Sequence, residues 1–191
     1  MNGNLVFADN ENIIANDFFN AIYRNIKLQY AKFFKMDLLC KLALLSTEMI
    51  LPDNNVPSLF NKEEVGLVFS NKSSSGQTDA EYNLIIADKN NYFPSPSVFV
   101  YTLPNILIGE ICIKHNFTGE SAFFVCEKFN AELLTNYVSD LLRNDLAKAV
   151  IAGWIEINEN KEYDAFTFLA SHQKGRNPFT SIDLEELYRD G

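Results

Sequence analysis

The pattern of apolar positions divides the chain into alternating strand-like and helix-like segments. Four short runs rich in Val, Ile, Ala and Phe are typical of buried strands: 65–69, 122–126, 147–157 and 163–170. Apolar residues at helical spacing predict helices, and an acidic segment near the end predicts a short helix or a tail: 36–51, 78–87, 102–115, 130–143 and 182–188. Long helices between strands, with two neighbouring strands near the end, predict an α/β domain with helices on both faces of a mostly parallel sheet.

Capping and turn residues define several of these boundaries. Asp37 can cap or charge the first turn of helix 36–51, and Pro52 should end that helix. Asn130 can cap helix 130–143, and Pro104 suits the first turn of helix 102–115. The Ser-Ser-Ser-Gly run at 73–76 lacks the Gly-Lys-Ser/Thr ending of a phosphate-binding P-loop, so we interpret it as a flexible turn.

Length and charge then exclude several classes of protein. The 191 residues fit one domain, so 1–191 is treated as a single unit. A formal net charge of −9 disfavours a general nucleic-acid binder, which needs clustered Lys and Arg. The apolar stretch 97–113 is too short and too interrupted for a membrane span, and no signal peptide is visible. We expect a cytoplasmic protein that binds neither nucleic acid nor membrane.

The cysteines and histidines offer little for metal or disulfide chemistry. Cys40, Cys112 and Cys126 form no CxxC pair, which favours free thiols in a reducing compartment. His115 and His172 are the two histidines, so a His/Cys zinc site has few ligands to draw on. We therefore expect no metal and no cofactor.

Two segments carry a family resemblance. Residues 119–130 read Gly-Glu-Ser-Ala-Phe-Phe-Val-Cys-Glu-Lys-Phe-Asn, and 149–156 read Ala-Val-Ile-Ala-Gly-Trp-Ile-Glu. Together they resemble the N-terminal half of the β-ketoacyl-acyl carrier protein synthase family, which has a Gly-Pro-Ser start, a buried strand, a nucleophilic Cys at a strand-to-helix elbow and then an Ala-Gly-Gly strand. Three further segments are similar to family motifs in the same order: Phe-Lys-Met-Asp at 34–37, Val-Gly-Leu-Val-Phe at 65–69 and Thr-Leu-Pro-Asn at 102–105.

The resemblance implies a specific architecture. It implies a thiolase-like half, with a mixed, mostly parallel five-stranded sheet between helix layers, and it makes 1–191 a single ketosynthase-like N-terminal half-domain. Complete synthases contain two such halves and place a Cys of the first against two His of the second. The Cys thiolate takes the acyl chain, and the two His support decarboxylation and condensation.

The spacing of the family motifs assigns the nucleophile position in this sequence. The family's Cys commonly lies nine residues after the Gly of Gly-Pro-Ser and twenty-five before the first Gly of Ala-Gly-Gly. Nine residues after Gly119 and twenty-five before Gly153 both give Lys128. The resemblance therefore places an amine at the elbow, with Cys126 two residues upstream on the strand.

Three residues are candidates for chemistry, and each also has a simpler interpretation. Cys126 is a candidate nucleophile, although a free cysteine commonly packs as a small hydrophobic residue. Lys128 is a candidate for covalent chemistry, although a lysine beside Glu127 is more commonly solvated or ion-paired. His115 is a candidate base, although an imidazole at a helix end is also favoured there by the helix dipole.

One stretch of the chain is basic, although the chain as a whole has a negative net charge. Residues 24–41 contain one acid, Asp37. The cations in this range are Arg24, Lys27, Lys32, Lys35 and Lys41. The family's synthases meet acidic acyl carrier proteins with basic patches, so this stretch could dock one through complementary charge. The interpretation that we favour is a solvated helix face whose aliphatic stems cover neighbouring aromatic rings.

Three hypotheses for function follow. The leading one is a ketosynthase-like accessory protein of fatty-acid or polyketide-type biosynthesis, without condensing activity of its own, beside an acyl carrier protein or a partner ketosynthase. The alternative is a 3-oxoacyl-acyl carrier protein synthase or acyltransferase that uses Cys126 as nucleophile, with His115 or a partner chain as the source of the base. The third is a structural dimer without an acyl ligand. Because family members join their sheets through the strand before the nucleophile, strand 122–126 is the predicted homodimer contact.

Overall fold

The computed structural model describes residues 14–54, 56–87, 89–90, 93–172 and 179–190. The helices in these ranges are Ala15–Asn25 (α1), Leu38–Asn54 (α2), Val56–Leu59 (α3), Gly76–Ala87 (α4), Pro96–Val100 (α5), Ile106–His115 (α6), Ala131–Arg143 (α7) and Ser181–Arg189 (α8). The strands are Val65–Asn71 (β1), Ser121–Val125 (β2), Ala149–Ile157 (β3) and Tyr163–Ser171 (β4). Short 3₁₀ helices lie at Ala31–Lys35 and Lys62–Glu64.

The four strands form one mixed sheet in the order β2-β1-β3-β4. Strand β1 pairs in parallel with both β2 and β3, and β4 pairs antiparallel to β3. The central strand β1 is buried along its whole length, and β2 and β4 form the edges of the sheet among the described residues. Because β1, β2 and β3 run in the same direction, their carboxyl ends lie at one edge of the sheet.

Alternating side chains divide the core into two layers. Leu67 and Phe69 of β1 face an apolar cluster that includes buried residues of α1, α2 and α6. Val68, between them, faces a second cluster that is shared with α7 and α8. Since successive residues of a strand point to opposite faces, the two clusters lie on opposite sides of the sheet. The predicted arrangement of helices on both faces is therefore confirmed.

Most predicted elements are present with small shifts at their ends. The Asp37 carboxylate accepts a hydrogen bond from the Cys40 amide at 2.9 Å, so it caps α2 as predicted. Pro52 does not end this helix at once: the helix continues for two residues, to Asn54. A proline removes one i→i−4 hydrogen bond, and the helix ends within one turn of it. The acidic segment near the end is a helix, α8.

The expectation of five strands is wrong for the part of the chain that the structure describes, where the sheet has four. The hydrophobic pattern itself contains four strand-like runs, and each of them is a strand in the structure. The fifth strand came from the family resemblance alone.

Candidate functional site

The predicted elbow lies where β2 leads into α7. Residues 126–130, called the elbow segment below, connect Val125 at the end of β2 to Ala131 at the start of α7. The Cys126 amide donates to the Asn71 carbonyl at 2.7 Å, which continues the β1–β2 pairing by one residue. The Asn130 side chain accepts from the Leu133 amide at 2.9 Å, so it caps α7 as the sequence predicts.

Lys128 lies on the exposed surface of the elbow segment and lines an open groove. The groove has a volume of about 390 Å³ and separates the start of α7 from α8. Its lining residues are Lys128, Phe129, Asn130, Ala131, Glu132, Ser181, Ile182, Glu185 and Arg189. The lining carries two cations and two carboxylates, so it has no single dominant charge.

Cys126 lies in a different environment from Lys128. Its side chain is partly buried and packs against the apolar cluster beneath α7. Burial raises the pKa of the Cys126 thiol, which favours the neutral thiol over the thiolate needed for attack. The residue also precedes the first helical residue, Ala131, by five positions, so it does not occupy the helix start.

His115 lies on the other side of the sheet. It ends α6, and its Nε2 lies 2.5 Å from Oε1 of Glu48 in α2. Its ring stacks on Phe117 with 5.3 Å between centroids, and Phe117 belongs to the α1, α2 and α6 cluster. The structure therefore brings Cys126 and Lys128 together on one connection but does not bring His115 to them.

The second histidine, His172, is also remote from the elbow. Its Nε2 lies 2.8 Å from the Leu142 carbonyl, near the end of α7. Leu142 is eleven residues from Ala131, which corresponds to roughly 16 Å along the helix axis. Neither imidazole of the sequence is placed beside the elbow segment.

Phe129 is a site residue that the sequence analysis missed. It is buried, and its ring contacts the rings of Trp154 and Phe166 edge-on, with centroid distances of 6.4 and 5.5 Å. The ring centroid of Tyr188 in α8 lies 4.2 Å from the ring centroid of Phe129. The only signal in the sequence was an apolar residue between two polar ones, which does not indicate what it contacts.

Tyr188 fixes α8 beside the elbow. Its hydroxyl donates to the carboxylate of Asp164 on β4. Burial, the bond to Asp164 and the nearby charges of Glu185 and Glu156 raise the pKa of Tyr188 well above its usual value. The hydroxyl is therefore a hydrogen-bond donor over the whole physiological range, and α8 remains linked to the sheet.

The serine run after β1 forms an ordered turn. The Asn71 side chain donates to the Ser74 carbonyl at 2.8 Å and accepts from the Ser74 amide at 2.9 Å. The Ser75 hydroxyl donates to the Thr102 carbonyl at 2.6 Å, which links the turn to the approach to α6. The segment is a turn, as predicted, whereas its flexibility stays a prediction. Its hydrogen bonds place it beside the elbow segment at the carboxyl edge of the sheet.

Two of the five cations in the basic stretch bind other side chains of this protein, and the other three are exposed. Lys41 is buried and donates to Asn16 at 2.6 Å, and Lys32 pairs with the buried Glu110 at 2.7 Å. The exposed members are Arg24, Lys27 and Lys35. They accompany Phe34, which is 52% exposed and packs edge-on against Tyr23, the neighbour of Arg24. The structure thus reduces the five cations to a smaller basic surface with an exposed aromatic ring.

The described residues contain no group of three His, Cys, Asp or Glu side chains that could hold a metal ion. In the same ranges, no helix is both long enough and apolar enough to cross a membrane.

Comparison with known proteins defines the class of fold. No protein-family model matches the chain, and no curated protein matches its sequence. Solved structures do match. One such structure is the complex of a type II polyketide synthase acyl-carrier protein with its ketosynthase. A chain of that complex superposes with a TM-score of 0.66 at 14% identity, and the match covers 83% of this chain and 58% of that one.

Two further structures agree. The ishigamide ketosynthase/chain length factor gives a TM-score of 0.63 at 17% identity, covering 80% of this chain and 48% of that one. A ketosynthase in complex with its chain length factor from Xenorhabdus doucetiae gives 0.59 at 12% identity, covering 85% and 73%. The chain thus spans about half the length of the first two. At these identities the similarity concerns the fold, and the fold is ketosynthase-like, of the thiolase type.

Proposed function

We propose that this chain is a ketosynthase-like accessory protein of polyketide-type or fatty-acid biosynthesis, without condensing activity of its own. The observation that carries the proposal is the amine of Lys128 at the elbow, where the family resemblance expects a thiol. Residues 1–191 would act as one ketosynthase-like N-terminal half-domain. The structures that it resembles are ketosynthases in complex with an acyl-carrier protein or a chain length factor, which is the setting proposed for this chain.

The environment of Lys128 argues against a role as acyl acceptor. An amine attacks a thioester only in its neutral form, which a protein favours by burying the group. Lys128 is exposed, so nothing in its surroundings provides that desolvation.

The alternative, an acyl-transfer or condensing enzyme that uses Cys126, is less well supported. The Cys126 thiol has a raised pKa, whereas reactive cysteines have a lowered one. His115 bonds to Glu48 on the opposite face, and His172 bonds to the far end of α7. In an enzyme of this kind, an imidazole base would have to come from another chain.

Acyl transfer to the protein distinguishes the two proposals. The purified chain is incubated with an acyl-CoA or acyl-carrier thioester, and its intact mass is measured over time. We expect no adduct, in either the wild type or the Cys126→Ser variant. An adduct that forms in the wild type and disappears in Cys126→Ser would support the enzyme and contradict the accessory protein.

The edge strand β2 supports assembly with another chain. Among the described residues it pairs with β1 alone, it carries no charged side chain, and Val125 at its end is 59% exposed. An uncharged edge strand is a template for pairing with a strand of another chain. We propose that a second copy or a partner ketosynthase joins the sheet here.

An acidic acyl carrier protein is the proposed partner of the basic surface formed by Arg24, Lys27 and Lys35. The exposed ring of Phe34 adds an apolar contact to three cations. Binding of a carrier protein should weaken in the triple Glu variant and with rising salt, as measured by titration calorimetry. Equal affinity in both proteins would remove this surface from the proposal.

A further inference from the structure

The carboxylate of Glu156, on β3, holds the loop that follows β1. Its Oε2 atom accepts the Lys72 amide at 2.7 Å and the Ser73 amide at 3.1 Å. Two successive amides that converge on one oxygen form a concavity suited to an anion. Hydrogen bonds to an ionised acceptor are stronger than those between neutral groups. The anion in this cradle is a side chain from the adjacent strand.

The same loop is held from its other side by Asn71. This residue is fully buried, and its side chain makes two hydrogen bonds with the backbone of Ser74. Ser74 has a φ of 52°, in the left-handed region that a non-glycine residue occupies when its surroundings hold it there. Glu156 therefore holds the start of the turn, at Lys72 and Ser73, and Asn71 holds Ser74.

The turn contacts the elbow segment and the approach to α6. The Asn71 carbonyl accepts the amide of Cys126, the first residue of the elbow segment. The Ser75 hydroxyl donates to the Thr102 carbonyl in the approach to α6. These hydrogen bonds connect the turn to both segments.

We propose that Glu156 is a positioning residue: its carboxylate locks the 72–75 turn, and through that turn it fixes the elbow segment and the approach to α6. The inference takes the importance of the elbow from the proposed function. The coupling itself depends only on the contacts described above.

Amide hydrogen exchange tests the coupling directly. In Glu156→Ala, the amides of residues 72–74 and of Cys126 should exchange at least about tenfold faster than in the wild type, since a bond to a charged acceptor is lost. The matched control is Glu159→Ala, which removes an exposed glutamate three residues away, in the turn between β3 and β4. Its exchange at these amides should equal that of the wild type.

Rescue by a small anion separates this role from ordinary packing. Sodium formate should restore protection in Glu156→Ala, relative to sodium chloride at equal ionic strength, because formate can occupy the cradle. If Glu156→Ala does not fold, Glu156→Gln replaces it: the amide oxygen accepts the same bonds without charge, so protection should be intermediate.

Two results would overturn the proposal. One is unchanged exchange at residues 72–74 in the Ala variant, or wild-type exchange in the Gln variant when that variant is needed. The other is faster exchange at those residues with no change at Cys126, which would show that the turn is not coupled to the elbow. Neither readout involves acyl transfer or a partner, so a failure here is distinguishable from a failure of the proposed function.

Discussion

The ring centroid of Tyr188 in α8 lies 4.2 Å from that of Phe129, the residue next to Lys128 in the elbow segment. This contact makes the helix near the end of the chain part of the wall beside the elbow. It also makes the elbow dependent on the aromatic cluster beneath it, which includes Trp154 and Phe166.

Truncation of Phe129 should destabilise the protein strongly. Phe129→Ala removes a buried ring that contacts three others, so we expect the free energy of unfolding to fall by about 3–5 kcal/mol. Tyr188→Phe keeps the ring contact and loses one hydroxyl bond, which costs about 1 kcal/mol. Urea unfolding followed by the fluorescence of Trp154, the single tryptophan, measures both. Phe93, which is 86% exposed, provides the control: Phe93→Ala should change stability by no more than about 0.5 kcal/mol.

A thiol placed at the elbow should be more reactive than the native Cys126. Lys128→Cys in a Cys126→Ser background puts the sulfur on the exposed surface near the start of α7, where the helix terminus favours a thiolate. We expect faster alkylation by iodoacetamide at neutral pH than in Lys128→Ala, which retains Cys126. The alkylated site is identified by peptide mass spectrometry. Slower alkylation at position 128 than at Cys126 would contradict the expectation that position 128 favours a thiolate.

The contact between α2 and α6 should weaken in acid. Burial alone would raise the pKa of Glu48, but the hydrogen bond from His115 and the charges of His115 and Lys114 outweigh it and leave this pKa below its usual value of 4.5. The unfolded state therefore takes up the proton first as the pH falls. The stabilisation by Glu48 is present above pH 4.5 and is lost as the pH falls through the lower folded-state value.

Glu48→Gln isolates this contribution. The wild type should be more stable than the variant near neutral pH, and the difference should shrink below pH 4.5, as measured by urea unfolding across that range. Burial raises the pKa of Asp37, so Asp37 has the opposite effect on stability as the pH falls. Because Asp37 is present in both proteins, its effect cancels when the stability of the variant is subtracted from that of the wild type. A difference that stays constant with pH would show that Glu48 contributes through packing and not through its charge.

Two glycines should respond in opposite directions to the same substitution. A Cβ atom at Gly153 of β3 would lie 2.1 Å from the Phe166 carbonyl oxygen, which is backbone of the paired strand and cannot move freely. Gly153→Ala should therefore destabilise the protein by about 3 kcal/mol. At Gly109 of α6 nothing lies within 4 Å, so Gly109→Ala should stabilise the helix by about 0.5–1 kcal/mol. Thermal unfolding compares them, and equal effects would contradict the close approach of β3 and β4.

A charge on the β2 edge should disrupt assembly. Val125→Lys introduces a cation at the end of the edge strand, and charged side chains there oppose pairing between sheets. We expect the dimer fraction in sedimentation velocity to fall, whereas Leu146→Lys, at an exposed apolar residue after α7, should leave it unchanged. A wild type that sediments as a monomer at micromolar concentration, alone and with a partner ketosynthase, would argue against both forms of the proposed dimer.

Local patterns in the sequence were sufficient for the order of elements and for two helix caps. Period and composition depend on residues within one segment, so four apolar runs predicted four strands, and Asp37 and Asn130 were correctly identified as helix caps. The amphipathic helix α1 was not predicted, although its polar and apolar residues segregate to opposite faces.

Contacts between distant segments could be decided only by the tertiary structure. The sequence placed Lys128 at an elbow, but the groove beside it exists because α8, some fifty residues later, packs on Phe129. The separation of His115 from Cys126 follows from the face of the sheet on which each side chain packs, and the hydrogen bond from Lys41 to Asn16 depends on how α1 packs against α2. Side-chain periodicity fixes local conformation, whereas proximity between separate segments depends on how the layers pack, which no single segment encodes.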